Sequence, residues 1–441
     1  MKNQPQTQEA SHPYPHWQRR FFTIWTGQAI SILGSNIVQF AIVWYLTRET
    51  GSATVLAIAS FFSVLPGVIL SPFAGAIVDR NNRKWIMILS DVIIGLARLL
   101  GVYLFATGAI EVWHIYLMNL IGSAASSFQT PAMTSSTSLM VPKKHLSRVA
   151  GMNQTLEGAV AIAAPPLGAL LMGITSISNI LLLDFGTMLL AVVPLLFIPI
   201  PQPPGLETKD GIRIRTSFFE DLRHGVKYVT SWTGLLLLIL LAMVCNFMLS
   251  PAMSLLPLLI SDHFGGTEVQ LALINSIMGV AMLVGGLILS IWGGFKRRIL
   301  TSFMGLLVSG FAIALIGFTP GNLFWLAAVG FGLSMLMLPM INGPVRAVMQ
   351  SQVAPEVQGR VFSLVRTGTG LVMPIGLLIA GPVADWIGIQ SWYIFGGIIM
   401  ALSGIIGFMT PAMRNFEDQR KTLSEAGMSP DASITARETA K

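Results

Sequence analysis

Five ionisable residues interrupt long apolar runs in this 441-residue sequence, and their types limit the chemistry available there. They are Asp91, Arg98, Glu157, Asp184 and Arg366. A charged side chain inside a bilayer costs about 2.5 to 3.5 kcal/mol on insertion scales, so it usually faces a cavity or a partner. Carboxyl groups in such places exchange protons or bind cations, and arginines bind anions. The residue types therefore indicate proton or ion chemistry within a membrane.

Glu157 is the first candidate for proton coupling. It lies about nine residues into its apolar run, roughly 14 Å deep, which places it near the middle of a bilayer. A carboxyl there can take part in proton exchange, or it can make a static hydrogen bond or ion pair. Asp184 is a second candidate proton site. It lies in the sixth run, nearer the outer side of the membrane. Asp91 and Arg98 are seven residues apart, on the same face of one helix, and are candidate charge partners that anchor neighbouring helices.

The elements that must position these residues are membrane-spanning helices. The composition is 53% hydrophobic and 11% charged, whereas soluble domains hold about 25% charged residues. Twelve runs reach or approach the ~20 residues needed to cross a bilayer. The predicted spans are 21–46, 53–78, 85–107, 112–138, 148–174, 177–199, 234–260, 268–292, 299–319, 322–348, 359–385 and 390–412. The sequence predicts an all-α integral membrane protein.

The lysines and arginines define an orientation. Nearly all 27 of them lie in every second gap between the runs or in the two terminal tails, and only Arg48 lies in one of the other gaps. Basic residues in short loops stay on the cytoplasmic side. We therefore expect a multi-pass protein of the plasma (inner) membrane with both termini in the cytoplasm. The polar start of the chain lacks the pattern of a removable signal peptide.

The sequence is internally duplicated. Pro131 and Pro142 match Pro344 and Pro355 at a common offset of 213 residues, and further matches follow with a slip of one residue. Two pseudo-symmetric halves of six helices are predicted, at 21–200 and 234–413. A tail at 1–20, a linker with an amphipathic helix at 201–233 and a disordered cytoplasmic tail at 414–441 complete the chain. In this alignment Arg366 lies one turn from the level of Glu157 in the opposite half, so it is a third candidate charge partner.

The stretch GAIVDRNNRK resembles a signature of one transporter family. Its residues Gly75, Asp79, Arg80, Arg83 and Lys84 are similar to the loop between the second and third helices of the major facilitator superfamily. The stretches FFTIWTGQAIS, YLTRETGSATVLAIAS, VDRNNRKWIMI, FQTPAM, GRVFSL and MPIGLLIAG resemble its macrolide-efflux branch, from about Trp17 to Met409. The resemblance implies the twelve-helix major facilitator fold.

The resemblance also implies roles for these residues. Asp79 would contact Arg360 or the start of the eleventh helix and hold the outward-open state. Arg80, Arg83 and Lys84 have an equally good alternative interpretation as cytoplasmic cations. A fifth-span stretch resembles an exporter motif, although tight helix packing explains it equally well. Its residues are Gly158, Pro165, Pro166 and Gly168.

In the family, spans 1, 4, 7 and 10 line a central cavity. The amide side chains expected there are Gln28, Asn36, Gln39, Asn119, Gln129, Asn246 and Asn342. Such a lining suits secondary active efflux of a lipophilic small molecule, macrolide-like or another drug, by proton antiport and alternating access. The alternative is export or import of another small metabolite or a siderophore. We expect a monomer in a lipid bilayer.

Other function classes find no support in the motifs. The sequence has no GxxxxGKS or GxxxxGKT phosphate loop, no HExxH pair and no nucleophile elbow, so neither an ATP-driven pump nor an enzyme is predicted. A single cysteine, Cys245, rules out an internal disulfide and a thiolate metal cluster. The cations flank membrane spans, so nucleic acid is not an expected partner. No cofactor or metal is expected.

Overall fold

A computed structural model describes residues 17–200, 227–353 and 355–417 of the chain. Twelve long helices dominate these ranges, and the described residues form no strand. The helices are α1 (Trp17–Thr50), α2 (Ala53–Arg80), α3 (Arg83–Thr107), α4 (Val112–Met140), α5 (Leu146–Ile174), α6 (Ile177–Phe197), α7 (Thr233–Ser254), α8 (Glu268–Trp292), α9 (Arg298–Phe318), α10 (Phe324–Gln352), α11 (Pro355–Ile387) and α12 (Ile389–Met409). The predicted all-α fold class is confirmed.

Helix α4 differs from the other eleven in the polarity of its central and final turns. In the described ranges, the other 11 contain a segment long and apolar enough to cross a membrane. The second half of α4 reads SSFQTPAMTSSTS, which lowers its mean hydropathy. It nevertheless packs along α2 and α3 in the middle of the molecule. Polar residues at that position are tolerated where a helix lines a cavity instead of facing lipid.

The packing of the helices repeats when each helix number is raised by six. In the first half α1 packs on α5 and α6, α2 on α4, and α3 on α4 and α6. In the second half α7 packs on α11 and α12, α8 on α10, and α9 on α10 and α12. The two main contacts between the halves are α2 with α11 and α5 with α8. The pseudo-symmetry that relates the two halves converts one of these contacts into the other. The predicted pseudo-symmetric six-helix halves are confirmed.

The alternating helices give the molecule two faces. We call the face that holds the start of α1 and the end of α12 the basic face, and the other the opposite face. The described cations at helix ends on the basic face are Arg19, Arg20, Arg80, Arg83, Lys84, Lys144, Arg148, Lys296, Arg297, Arg298 and Arg414, whereas Arg48 lies at the opposite face.

The two halves are joined at the opposite face. Asp385, near the end of α11, accepts hydrogen bonds from the backbone N–H groups of Ala53 and Thr54 at 2.7 and 3.0 Å, and from the Ser52 hydroxyl at 3.1 Å. The carboxylate thus caps the start of α2, where the helix dipole favours negative charge. One turn away, a Cβ on Gly381 would lie 2.8 Å from the Thr54 Cα, so only glycine permits this approach.

The halves diverge toward the basic face. Helices α5 and α8 touch through the Ser276 hydroxyl, which donates to the Ile162 carbonyl at 3.3 Å, and through Gly279, which faces Ile162. Nearer the basic face, a Cβ added to Gly75 of α2 or Gly151 of α5 would meet no atom within 4 Å. The halves are therefore in contact at the opposite face and at the depth of Ile162, and space remains at these two positions nearer the basic face.

Packed structure extends beyond the predicted start of the C-terminal tail at 414. The Phe416 ring stacks on Trp232 with 4.5 Å between ring centroids, and Glu417 accepts from the Ile299 N–H at 2.9 Å, at the start of α9. Both contacts are distant in sequence, which is why local polarity did not reveal them. Residues 201–226, with most of the predicted linker and amphipathic helix, and 418–441 lie outside the described residues, as does the tail before Trp17.

Candidate functional site

A cavity of about 560 Å³ lies within the first half, among α1, α3, α4, α5 and α6. Five of the seven predicted amide residues line it, together with Glu157 and the buried charged residues of α3 and α6. The five amides are Gln28, Asn36, Gln39, Asn119 and Gln129. Asn246 and Asn342, on α7 and α10, are exposed and are not among its lining residues. The polar cavity thus belongs to one half of the molecule.

A second cavity, of about 890 Å³, lies between α2, α4 and α11. Gly75 and Arg366 contribute to its wall. The two cavities share four hydroxyl-bearing residues of α4: Ser123, Ser126, Thr130 and Thr134. The polarity of α4 is explained by this position, because its hydroxyl groups face both cavities and not the lipid.

Asp91 is held by two amides on two other helices. The Gln28 side chain of α1 donates to one carboxylate oxygen at 2.9 Å, and the Gln129 side chain of α4 donates to the other. Gln129 also donates to the Gln28 carbonyl oxygen at 3.1 Å, which closes the group. Asp91 is 3% exposed. We call Gln28, Asp91 and Gln129 the carboxyl–amide triad; it joins α1, α3 and α4.

Arg98 pairs with Asp184 and not with Asp91, its predicted neighbour on the same helix face. The Arg98 Nε lies 3.3 Å from Asp184 Oδ2, and the two side chains are 11% and 3% exposed. The Ser35 hydroxyl of α1 donates to the other Asp184 oxygen at 3.0 Å. Because the Asp184 charge balances a buried guanidinium, this carboxylate holds α1, α3 and α6 together.

Glu157 has a different environment from the other two carboxyl groups. It is exposed on the wall of the first cavity, and it makes no hydrogen bond or ion pair with any described residue. One turn before it, the side-chain oxygen Oδ1 of Asn153 accepts a hydrogen bond from the Trp25 indole N–H at 2.7 Å, and this bond joins α5 to α1. Arg366 is likewise exposed, on the second cavity. Glu157 is therefore accessible to water or a ligand in this cavity.

Two cations of the signature loop bind within the first half. Arg83 is 7% exposed and donates to the Ser135 carbonyl of α4 at 3.1 Å, and Lys84 donates to the Leu196 carbonyl at 2.8 Å. Leu196 lies in the last turn of α6, where a cation is favoured by the helix dipole. Arg80 is exposed at the end of α2. These contacts give Arg83 and Lys84 a structural role beyond orientation.

The proposed partners of the signature-loop latch are only partly visible. Asp79 and Arg360 lie on α2 and α11, but their side chains are outside the described part of the structure. Their contact therefore stays a prediction.

The exporter-like stretch of α5 is a close-packing surface. A Cβ on Gly168 would lie 2.7 Å from the Phe40 ring of α1, so glycine is required there. Gly158 faces Leu283 of α8 more loosely, at 3.9 Å from a Cβ position. Pro165 and Pro166 lie inside α5, which stays helical from end to end. The contacts agree with the packing interpretation of this stretch.

Sequence reasoning missed the partners of the buried groups. Ser35, the pairing of Gln28 and Gln129 with Asp91, and the cap by Asp385 all join residues on different helices. The signal for the triad was present, because two of the amides interrupt apolar runs at the depth of Asp91. The described residues include no group of three or more metal-binding side chains.

Comparisons with known proteins agree with the geometry. The family model described as Major Facilitator Superfamily matches residues 24–361 and 252–433. The chain is 32% identical over 407 residues to macrolide efflux protein A of Streptococcus pyogenes, covering 92% of this chain and 99% of that protein. It is 24% identical over 415 residues to the multidrug efflux pump Tap of Mycobacterium bovis, covering 90% and 94%.

A solved structure shows the same fold. It is the crystal structure of a bacterial homologue of the iron transporter ferroportin in an inward-facing state, with a TM-score of 0.67 and 15% identity. The match covers 88% of this chain and 98% of that chain.

Proposed function

Because this chain belongs to the major facilitator superfamily, we propose that it is a secondary active exporter of lipophilic drugs, macrolide-like or similar. In this proposal it works as a monomer in the plasma membrane, with both termini in the cytoplasm. Efflux is driven by proton antiport and proceeds by alternating access. The similarity to macrolide efflux protein A over 92% of the chain supports the cargo class.

The observation that supports the proposal best is the position of Glu157. It is the one exposed carboxylate on a cavity whose other described charged residues are the buried Asp91 and the paired Arg98 and Asp184. Such a wall fits a cationic amphiphile, whose ammonium group would bind the carboxylate while its apolar part contacts Leu156, Met118 and Met133. Methionine adapts to variable apolar shapes. A proton and a cation would compete for the same carboxylate, which is the condition for exchange.

The closed opposite face supports alternating access. If the basic face is cytoplasmic, as the positive-inside rule predicts, the cavity loads from the cytoplasm in the present state. Release then requires the α2–α11 and α5–α8 contacts near Asp385 and Ser276 to open while the basic face closes. A contact of Asp79 with Arg360 or the start of α11 would hold that second state.

Accumulation of a labelled macrolide in energised everted vesicles tests this function. We expect accumulation that a protonophore abolishes. Glu157→Gln should abolish gradient-driven accumulation while binding of the macrolide stays measurable, because the amide fills the same space without a charge. Glu49→Gln, which removes an exposed carboxyl at the opposite face, is the matched control and should transport normally.

Two results would contradict the proposal. Protonophore-resistant accumulation would exclude proton antiport, and failure to accumulate any lipophilic cation would exclude drug efflux. Full activity of Glu157→Gln would show that proton exchange takes place at another residue.

The alternative cargo, another small metabolite or a siderophore moved in either direction, has one observation in its favour. Arg366 places an exposed guanidinium on the second cavity, where an anionic group would bind. Competition by anionic and cationic compounds in the same vesicles separates the two. Inhibition by anions alone would favour the alternative.

A further inference from the structure

We propose that Asp91, within the carboxyl–amide triad, is a second proton-binding site that sets the charge of the cavity wall and is coupled to substrate occupancy. This inference rests on the proposed function, because it assumes a cationic substrate in the first cavity. It differs from the role given to Glu157, which is exposed and contacts the substrate directly.

The partners of Asp91 are neutral. Both carboxylate oxygens accept hydrogen bonds from amides, Gln28 on one side and Gln129 on the other, and the side chain is 3% exposed. No lysine, arginine or histidine among the described residues pairs with it. A buried charge usually has a cation partner or a metal. Asp91 has neither among the described residues, so it is the one buried carboxylate described in this half whose charge can change without breaking an ion pair.

Amide partners suit a group that exists in two protonation states. A primary amide both donates and accepts hydrogen bonds, so rotation of Gln28 or Gln129 presents a carbonyl oxygen to a protonated carboxyl. Arginine can only donate. Asp184 illustrates the contrast, because its protonation would leave the Arg98 guanidinium buried without a counter-charge. The triad can therefore satisfy Asp91 both as a carboxylate and as a carboxylic acid.

The ionisable groups on the surrounding helices leave Asp91 electrostatically isolated. On α3, Lys84 and Arg98 each lie seven residues from Asp91. Lys84 and its neighbour Arg83 bind the backbone carbonyls of Leu196 and Ser135, and Arg98 is neutralised by Asp184 of α6. Helix α4 has only His114 and Tyr116, near the opposite face, and α1 has ionisable residues only toward its two ends. Helix α2 has only Asp79 and Arg80, at the basic face. Glu157 of α5 is the one other titratable group on the cavity wall without a partner among the described residues.

The triad is part of the cavity wall. Asp91, Gln28 and Gln129 all line the cavity that also contains Glu157. Ionised Asp91 therefore adds negative charge beside a bound cation, and a proton from water removes it by forming one O–H bond. Substrate affinity should rise as the pH rises through the titration of Asp91. By linkage, cation binding should release the proton.

The test is the pH dependence of macrolide binding to the purified full-length protein. Glu157→Gln serves as the background, because it removes the other carboxyl that titrates in the cavity. In this background we expect affinity to rise about tenfold between pH 5.5 and 8, within the 5- to 150-fold range of typical couplings. Adding Asp91→Asn should remove this rise, leave affinity low at all pH values, and remove the proton release that follows macrolide addition in weak buffer.

Two further variants separate proton binding from a structural role. Arg98→Met with Asp184→Asn removes the other buried carboxyl without leaving a lone charge, and it should keep the pH dependence. Gln129→Leu removes one donor to the carboxylate, so the midpoint of the pH dependence should move to higher pH while its amplitude remains. This variant decides the question if Asp91→Asn does not fold, since an unchanged midpoint would overturn the inference.

The outcomes distinguish the two proposals. Failure of the unmodified protein to bind or transport any macrolide would overturn the proposed function. Normal protonophore-sensitive transport, with a pH dependence and proton release that survive Asp91→Asn, would overturn the inference about Asp91 and leave the proposed function in place.

Discussion

Three carboxyl groups in the first half differ because of their partners. Asp184 is balanced by Arg98, Asp91 is held by amides, and Glu157 is exposed to the cavity. Their sequence contexts are similar, since each interrupts an apolar run. The difference lies in what the neighbouring helices present to them. Only the pair of Asp184 with Arg98 combines two opposite buried charges among the described residues.

At the residue scale, Asp184→Asn should be strongly destabilising. Removing one member of a buried ion pair leaves the other uncompensated and costs about 3 to 5 kcal/mol. Thermal unfolding in detergent should show a large decrease in Tm. Adding Arg98→Met removes the orphaned charge, so the double variant should be more stable than the single one. Equal or additive losses would show that the two residues do not act as a pair.

At the element scale, α2 and α11 form the closure of the opposite face. Their contact depends on a glycine that lets the backbones meet and on Asp385, which caps α2 from the other half. Helix α4 has the complementary task, because its hydroxyl groups line both cavities. Helices α2 and α11 thus supply the close contact between the halves, and α4 supplies polar groups to the cavities.

Asp385→Asn should weaken the closure of the opposite face. The neutral amide loses the interaction of a charge with the helix dipole, worth about 0.3 to 1 kcal/mol at a surface and up to ~2 kcal/mol when partly buried. We expect the fraction of molecules with a closed opposite face to decrease severalfold. Double electron–electron resonance between spin labels at exposed Ala109 and Asn322 would report this as a longer distance.

The control for this measurement is Asp262→Asn. This exposed acid lies near the same face, and its one described hydrogen bond is to its neighbour Ser261. It should leave the distance distribution unchanged. If Asp385→Asn gives the same distance distribution as the unmodified protein, the cap does not contribute to closure.

At the scale of the whole molecule, the two halves meet mainly through two symmetry-related helix pairs, α2 with α11 and α5 with α8. A transporter built this way changes state when the halves rotate about the cavity. The polar groups are distributed unequally, however, because the described carboxyls of the cavity all come from the first half. The arrangement of helices is pseudo-symmetric, whereas the carboxyl groups of the cavity lie in one half only.

Linking the halves at the opposite face should stop transport but not binding. A disulfide between cysteines introduced at Ser52 and Asp385 joins positions whose side chains lie 3.1 Å apart, and it adds no side chain at Gly381. With Cys245→Ser as the background, oxidation should abolish vesicle accumulation, and a reducing agent should restore it. Each single-cysteine variant is the control. Transport by the fully cross-linked protein would contradict alternating access through this face.

The sequence by itself determined the helices, their pseudo-symmetry and the fold class. The predicted third span, 85–107, differs by two residues from Arg83–Thr107, and the eighth, 268–292, coincides with Glu268–Trp292. Span length, apolar composition and loop punctuation are local properties, so they can be read along the chain. The same local rules predict Glu157 at mid-depth, whereas the five residues of the cavity lining were expected from the family resemblance.

Only the tertiary structure decided which side chains on other helices the buried charged residues contact. Asp91 and Arg98 share a helix face, yet one binds α1 and α4 and the other binds α6. Neither the closure by Asp385 nor the stacking of Phe416 on Trp232 follows from a local pattern. Such contacts depend on the rotation and spacing of helices distant in sequence, which packing of the whole bundle sets.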